Sequence, residues 1–247
     1  MAIDDSDDMP TDDYNRKMRA LLDLLAADPI RELRILSVWR LQAFLTGWLM
    51  ASQFAPEVRR RNCRLSVWLN ENFDPLFHEV WFTYVINRYG DGEEGFYIAL
   101  DLLFQFMDYN DNEEKKNETL YASGRCEPGL PWKCSPEEMK GYSGWHQMSV
   151  RALMEKICVR TPLYTGSWSL SQLDAYLLGW SLGSSDPCTN RHVLREFFNW
   201  VERRYSSNDG FWWEGIETVY GESKEAVDEV ARLSMEFEEE ERGSEGL

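Results

Sequence analysis

The chain contains the same eight-residue pattern twice. LQAFLTGW occupies Leu41 to Trp48, and LDAYLLGW occupies Leu173 to Trp180, 132 positions later. A shorter match joins Arg19–Leu22 to Arg151–Met154 at the same offset. Two separated matches that share one offset are typical of a duplicated helical unit and are hard to produce by chance.

Two further pairs of segments align at other offsets, each with apolar residues at helical spacing. They are Phe77–Tyr89 with Val193–Tyr205, and Glu94–Phe106 with Glu225–Phe237. This alignment leaves Ala55–Asn70 as extra residues in the first copy and Ser206–Tyr220 as extra residues in the second. Such differences are expected where loops have changed length since duplication.

The sequence therefore predicts an all-α protein built from two tandem copies of a roughly four-helix unit. We expect repeat units at residues 14–108 and 145–239, with a partly packed linker at 109–144 that is rich in Gly, Pro, Ser and charge. Residues 1–13 and the tail after Phe237 are charged and poor in apolar residues, so we expect frayed or disordered ends.

The repeated block predicts a close helix contact. Ala43 and Gly47, like Ala175 and Gly179 in the second copy, are small residues four positions apart and share one helix face. A neighbouring helix could approach closely at such a face. The tryptophan that ends each block would then close over the contact with a large buried aromatic surface.

Charge and composition exclude several classes of protein. The chain has 26 Lys and Arg against 43 Asp and Glu, a formal net charge of -17, which opposes direct binding to nucleic acid or anionic membranes. Acidity also promotes solubility without any partner. There is no apolar run of membrane-spanning length and no signal-peptide pattern, and the five cysteines are scattered, so we expect a cytoplasmic protein with reduced thiols.

No sequence motif indicates catalysis. His78, His146 and His192 lack metal-ligand spacing, and neither a nucleophile elbow nor a phosphate-binding loop is present. GDGEEG at 90–95 carries acids where a phosphate cradle needs backbone amides, and it is more typical of the start of a helix. We therefore expect no catalytic, metal-binding or cofactor-binding residues, and no cofactor.

Two acidic segments are candidates for binding a partner. In NDGFWWEGIE the adjacent Trp212 and Trp213 point in different directions, so one of them could be exposed as an anchor, while the alternative is that both are core residues. The GDGEEG loop supplies further acids. The candidate partner-binding residues are Asp209, Phe211, Trp212, Trp213, Glu214, Glu217, Asp91, Glu93 and Glu94.

Four features follow one another along the chain: LxA[FY]LxGW, an aromatic-rich helix ending in Arg-Tyr, a Gly-Phe-Trp turn and a closing helix. In this order of motifs the chain resembles bacterial immunity proteins of polymorphic toxin systems. Its fullest form is Leu173 to Phe237, and the first copy departs from it in lacking the Trp-Trp turn. The resemblance implies a protein that binds and neutralises a toxin, here a basic toxin domain met by an acidic, aromatic surface. Alternatives are an acidic mimic of nucleic acid that inhibits a nucleic-acid-binding protein, and an uncharacterised helical enzyme.

Overall fold

A computed structural model describes residues 11–52, 65–66, 68–69, 71–73, 80–113, 148–205 and 211–245. Within these ranges every regular element is a helix, which confirms the all-α prediction. The helices are α1 (Thr11–Ala27), α2 (Pro29–Leu33), α3 (Val38–Ala51), α4 (Trp81–Tyr89), α5 (Glu93–Glu113), α6 (Val150–Cys158), α7 (Thr161–Thr165), α8 (Leu170–Gly183), α9 (Pro187–Tyr205), α10 (Trp212–Tyr220) and α11 (Lys224–Glu245).

The helices form two compact units. Unit 1 contains α1, α2, α4 and α5, with α1 and α4 packed on α5. Helix α1 buries Tyr14, Met18, Leu21 and Leu25, whose spacing of three and four residues places them on one face. Burial of each such leucine contributes about 1.5 to 3 kcal/mol to stability.

Unit 2 contains α3 from Trp39 onward together with α6 to α11. Helix α8 lies at its centre, in contact with α7, α9 and α10. Its sequence is apolar around most of its circumference, which is the pattern of a helix surrounded by others. The sequence predicted a unit at 145–239, whereas the structure groups α3, from the first half of the chain, with these helices.

Two limits of the predicted regions differ in the structure. Helix α5 continues to Glu113, so the first residues assigned to the linker are helical. Helix α11 continues past Phe237 to Glu245. The rest of the predicted linker, 114–147, and residues 1–10 lie outside the described residues.

Several helices start and end at positions that recur 131 or 132 residues later in the chain. Helix α2 at Pro29–Leu33 is followed 132 positions later by α7 at Thr161–Thr165, and α3 is followed at the same offset by α8, with identical lengths. Helix α4 at Trp81–Tyr89 is followed 131 positions later by α10 at Trp212–Tyr220, again with identical length. Helices α5 and α11 begin at that offset too.

The sequence-based alignment paired the α4 segment with residues that lie in α9. In the structure α4 is more similar to α10, because both have nine residues and both end at a glycine with positive φ, 85° at Gly90 and 66° at Gly221. Trp81 and Phe82 meet edge to face with centroids 5.9 Å apart, as do Trp212 and Trp213. The first half therefore has a Trp-Phe pair at the start of α4, where the second half has Trp-Trp.

Most of the first predicted insertion, Ala55–Asn70, and the first residues of the second, Ser206–Tyr220, lie outside the described residues. Of the first, Trp68 and Leu69 are helical and buried, and at an offset of 132 they align with Trp200 and Val201 of α9. Of the second, residues 212–220 form α10.

The predicted close contact is formed between the two repeated helices themselves. A Cβ on Gly47 of α3 would overlap the carbonyl oxygen of Tyr176, and a Cβ on Gly179 of α8 would overlap that of Phe44. The contacts are reciprocal, because Tyr176 and Gly179 are the counterparts of Phe44 and Gly47. Farther along, Gly183 meets Trp48. Contacts that advance together along both helices show that α3 and α8 run parallel.

Candidate functional site

The Trp-Trp turn is part of the core of unit 2, so of the two alternatives left open by the sequence the structure supports the one in which both indoles are core residues. Trp212 is 0% exposed and Trp213 is 2% exposed. Trp212 stacks on Phe198 with centroids 4.8 Å apart, and Phe211 stacks on Trp213 at 4.5 Å. The indoles do point in different directions, as adjacent helical residues must, but core residues from different helices cover both.

A buried ion pair explains how the two indoles are held. Arg40 and Asp174 are 2% and 0% exposed, and Arg40 Nη2 donates to Asp174 Oδ2 at 2.7 Å. Trp212 Nε1 donates to Asp174 Oδ1 at 2.8 Å, so both carboxylate oxygens accept a hydrogen bond. The Arg40 guanidinium also lies 4.9 Å from the centre of the Trp213 ring. This cluster joins α3, α8 and α10, and its burial makes it structural.

The acids of the Trp-Trp segment are bonded to backbone. A carboxylate oxygen of Glu217 accepts from the amide of Leu170 at 2.8 Å, and burial raises the pKa of this carboxyl. Glu217 thus caps α8, at a position where the Ser169 side chain makes no capping bond. Glu214 accepts from the amide of Phe211 at 3.2 Å and stays exposed. Asp209 lies outside the described residues.

The acidic loop of unit 1 is a tightly held turn between α4 and α5. Asp91 accepts from the Ser37 hydroxyl with both carboxylate oxygens, each at 3.0 Å. A Cβ on Gly95 would overlap the carbonyl oxygen of Gly90 and lie 3.2 Å from the side chain of Val38. Asp91 therefore positions the turn, and helix α5 begins at Glu93 as the sequence predicted.

Four exposed side chains define what we call the acidic-tyrosine surface: Tyr89, Glu93, Glu94 and Tyr97. The tyrosines are 37% and 45% exposed, and both glutamates are exposed. In the part of the chain that the structure describes, neither glutamate carboxylate has an ion-pair or hydrogen-bond partner. Helix α5 contains no Lys or Arg, so its own side chains supply no positive charge.

The equivalent turn of unit 2 differs in its charge balance. It keeps an exposed tyrosine, Tyr220, but Lys224 replaces Glu93 and Asp228 replaces Tyr97. Lys224 and Asp228 form an ion pair at 2.6 Å. In unit 2 this ion pair neutralises one acid, while Glu222 and Glu225 stay exposed, so the turns of both units are acidic and the turn of unit 1 has the larger acidic excess.

Unit 2 also has a cavity of about 290 Å³ where α6, α9 and α11 meet. Phe197 and Phe237 contribute apolar walls, and Arg151 and Glu238 contribute polar atoms. Arg151 donates to Glu238 at 3.1 Å and to Glu155 at 2.8 Å. The charged groups at this cavity therefore already bind one another.

The described residues contain no cluster of His, Cys, Asp or Glu suited to a metal ion, and no helix among them is long and apolar enough to cross a membrane. Burial raises the pKa of the Cys158 thiol to about 12, whereas Cys188 is exposed. Cys63, Cys126 and Cys134 lie outside the described residues.

Comparison of the chain with protein-family models, with curated proteins and with solved structures gives no match.

The nine sequence-predicted residues thus separate into distinct groups. Among the eight that the structure describes, Glu93 and Glu94 are exposed with no bonded carboxylate, and Glu214 is exposed but accepts a hydrogen bond at the start of its own helix. Tyr89 and Tyr97 are exposed near Glu93 and Glu94 in the chain and were not among the sequence-based candidates.

Proposed function

We propose that this protein is an immunity protein that neutralises a basic toxin domain by covering it with an acidic surface. The observation that carries this proposal is the way in which basic side chains are used. Arg151, Arg204 and Arg232 each bind two carboxylates of the same unit. Arg40 is buried against Asp174.

These four arginines are occupied by carboxylates of their own unit, and the whole chain has 17 more acidic than basic side chains. With a formal net charge of -17, the chain has a field that attracts a basic partner and speeds their encounter. Such steering raises association rate constants from about 10⁵–10⁶ to as much as about 10⁸–10⁹ M⁻¹s⁻¹ at low salt. Rapid capture suits an inhibitor that must act before its target reaches substrate.

The test uses the product of the gene adjacent to this one. Co-expression of the present chain should abolish the toxicity of that product, and the two purified proteins should form a complex. Raising the salt concentration should slow association by tenfold or more, since steering is screened within about 8 to 10 Å near physiological ionic strength. A neighbouring product that does not bind, or that binds at a rate indifferent to salt, would refute the proposal.

A further inference from the structure

Helices α3 and α8 pack through faces that match each other. Each helix carries the pattern LxA[FY]LxGW, and the close contacts of Gly47 and Gly179 with the opposite backbone are reciprocal. A Cβ added to Gly183 of α8 would lie 3.1 Å from the Cβ of Ala51 in α3, which is its counterpart 132 positions earlier. The two helices are therefore related by an approximate twofold axis that passes between positions 51 and 183.

Faces related in this way do not define their own partner. Because α3 and α8 present the same small residues in the same order, the α3 of a second copy of the chain would fit against α3 much as α8 does. The same holds for two copies of α8. A feature other than the glycine contacts must make α3 pair with α8.

The buried ion pair breaks the equivalence of the two helices. Arg40 of α3 aligns with Gln172 of α8, whereas Asp174 of α8 aligns with Gln42 of α3. On one side of the axis, Arg40 Nη2 donates to Asp174 Oδ2 at 2.7 Å. On the other side, the side chains of Gln42 and Gln172 form their hydrogen bonds within their own segments among the described residues. The ion pair therefore has no equivalent at the related position.

The pairing of α3 with α8 gives each of these two buried charges a partner. In an α3–α3 pair, the Arg40 of each copy would face the Gln42 of the other, and two buried cations would lack a counter-charge. In an α8–α8 pair, each Asp174 carboxylate would face Gln172 instead. A buried charge without its partner is strongly unfavourable. We propose that the Arg40–Asp174 pair selects α8 as the partner of α3 and prevents either helix from pairing with itself in a second copy of the chain.

This role differs from stabilising unit 2. Apolar side chains at the two positions would also stabilise a helix pair, but they would not distinguish α3 from α8, whereas a buried polar group can fix which helices associate. The role is also independent of the proposed function, since the competing partner is the same chain and not a toxin.

The experiment detects α3–α3 pairing in the full chain with the substitution Ala51→Cys. In an α3–α3 pair the two introduced thiols would meet where Ala51 now faces Gly183, and the Cβ atoms of a disulfide lie about 3.5 to 4.5 Å apart, so a small relaxation lets them bond. In the α3–α8 pair the introduced thiol faces Gly183. The chain is refolded from urea under mild oxidation, and mass spectrometry of its peptides separates this cross-link from those of the five native cysteines.

The decisive variant is Gln42→Asp, added to the Ala51→Cys chain. It copies Asp174 onto its counterpart, so that in an α3–α3 pair each Arg40 would face a carboxylate. The cross-link should increase by about tenfold or more over the matched control Gln42→Asn, which differs from it in charge and not in size, and tenfold corresponds to 1.4 kcal/mol. Circular dichroism checks that both variants keep the same helix content.

A second variant removes the selecting charges. Arg40→Gln combined with Asp174→Gln should also increase the cross-link over the Ala51→Cys chain, because self-pairing then buries no charge. The yield in both variants should rise with protein concentration, as expected for pairing between copies. Equal cross-linking in Gln42→Asp and Gln42→Asn, or no increase in the charge-free variant, would overturn the inference.

Discussion

The buried Arg40–Asp174 pair gives a sharp test of how unit 2 is stabilised. Asp174→Asn removes the negative charge and leaves an oxygen that can still accept from Trp212 Nε1, so the change isolates the ion pair. Arg40 is 2% exposed and cannot turn to solvent without opening the contact among α3, α8 and α10. Arg40 would keep its hydrogen bonds to Ser171 but lose its counter-charge, and removing one partner of a buried ion pair costs about 3 to 5 kcal/mol.

The assay is urea unfolding followed by tryptophan fluorescence and far-ultraviolet circular dichroism. Asp174→Asn should lower the free energy of unfolding by about 3 to 5 kcal/mol, and adding Arg40→Met should restore part of this loss because no charge then remains buried. The exposed Lys224–Asp228 pair is the control: Asp228→Asn should cost less than about 1 kcal/mol. Additivity of the Arg40 and Asp174 substitutions within about 0.5 kcal/mol would refute the reasoning.

Two further experiments test the contact between α3 and α8 and the buried carboxyl of Glu217. Gly179→Ala should destabilise the protein by about 1 to 3 kcal/mol, because the new methyl group would overlap the Phe44 carbonyl, and the gain in helix propensity offsets at most about 1 kcal/mol of this. Gly92→Ala, where a Cβ meets nothing within 4 Å, is the control, and thermal unfolding that ranks the two equally would contradict the prediction. Glu217→Gln tests a pH effect. Burial raises the pKa of Glu217, so the folded chain holds this proton to higher pH than the unfolded chain, and the wild type should lose stability relative to the variant as pH rises from about 4 to about 7. A stability difference that is constant over that range would show that Glu217 does not contribute.

The features that depend on a short stretch of sequence, namely the helical class and the close-packed glycine faces, were predicted correctly. The Gly47 and Gly179 faces are close-packed, as their spacing indicated, and the helical class is confirmed. Two residues that lie four positions apart in a helix share a face, because the backbone fixes the period at 3.6 residues per turn. The tandem repeat stays a prediction from the sequence.

The sequence and the structure suggest different partners for α4. VLREFFNWVERRY resembles the α4 segment because both are aromatic-rich and end in Arg-Tyr, and such composition is shared by many core-facing helices. The helix lengths and the positive φ of Gly90 and Gly221 make α10 the more similar helix. The φ angle of a turn residue cannot be read from amino-acid composition, so the sequence did not reveal this similarity.

The candidate site was predicted only in part. Exposure depends on which helices cover a side chain, and nothing local reveals that Phe198 stacks on Trp212 or that Glu217 reaches the start of α8. Asp174 did carry a signal, because it is a single charge within an apolar helix, and buried charges need partners. Its partner, Arg40, lies 134 residues away and could not be assigned without the fold.

The parallel contact between α3 and α8 sets a limit on how the chain can be divided for expression. A fragment that starts near residue 145 would contain α8 but not α3, and its glycine face, Asp174 included, would be open to water. The useful boundary for an isolated second half is therefore not the predicted linker. A rearranged chain in which α3 is joined ahead of α6 would keep this contact and should be the shortest version of unit 2 that folds.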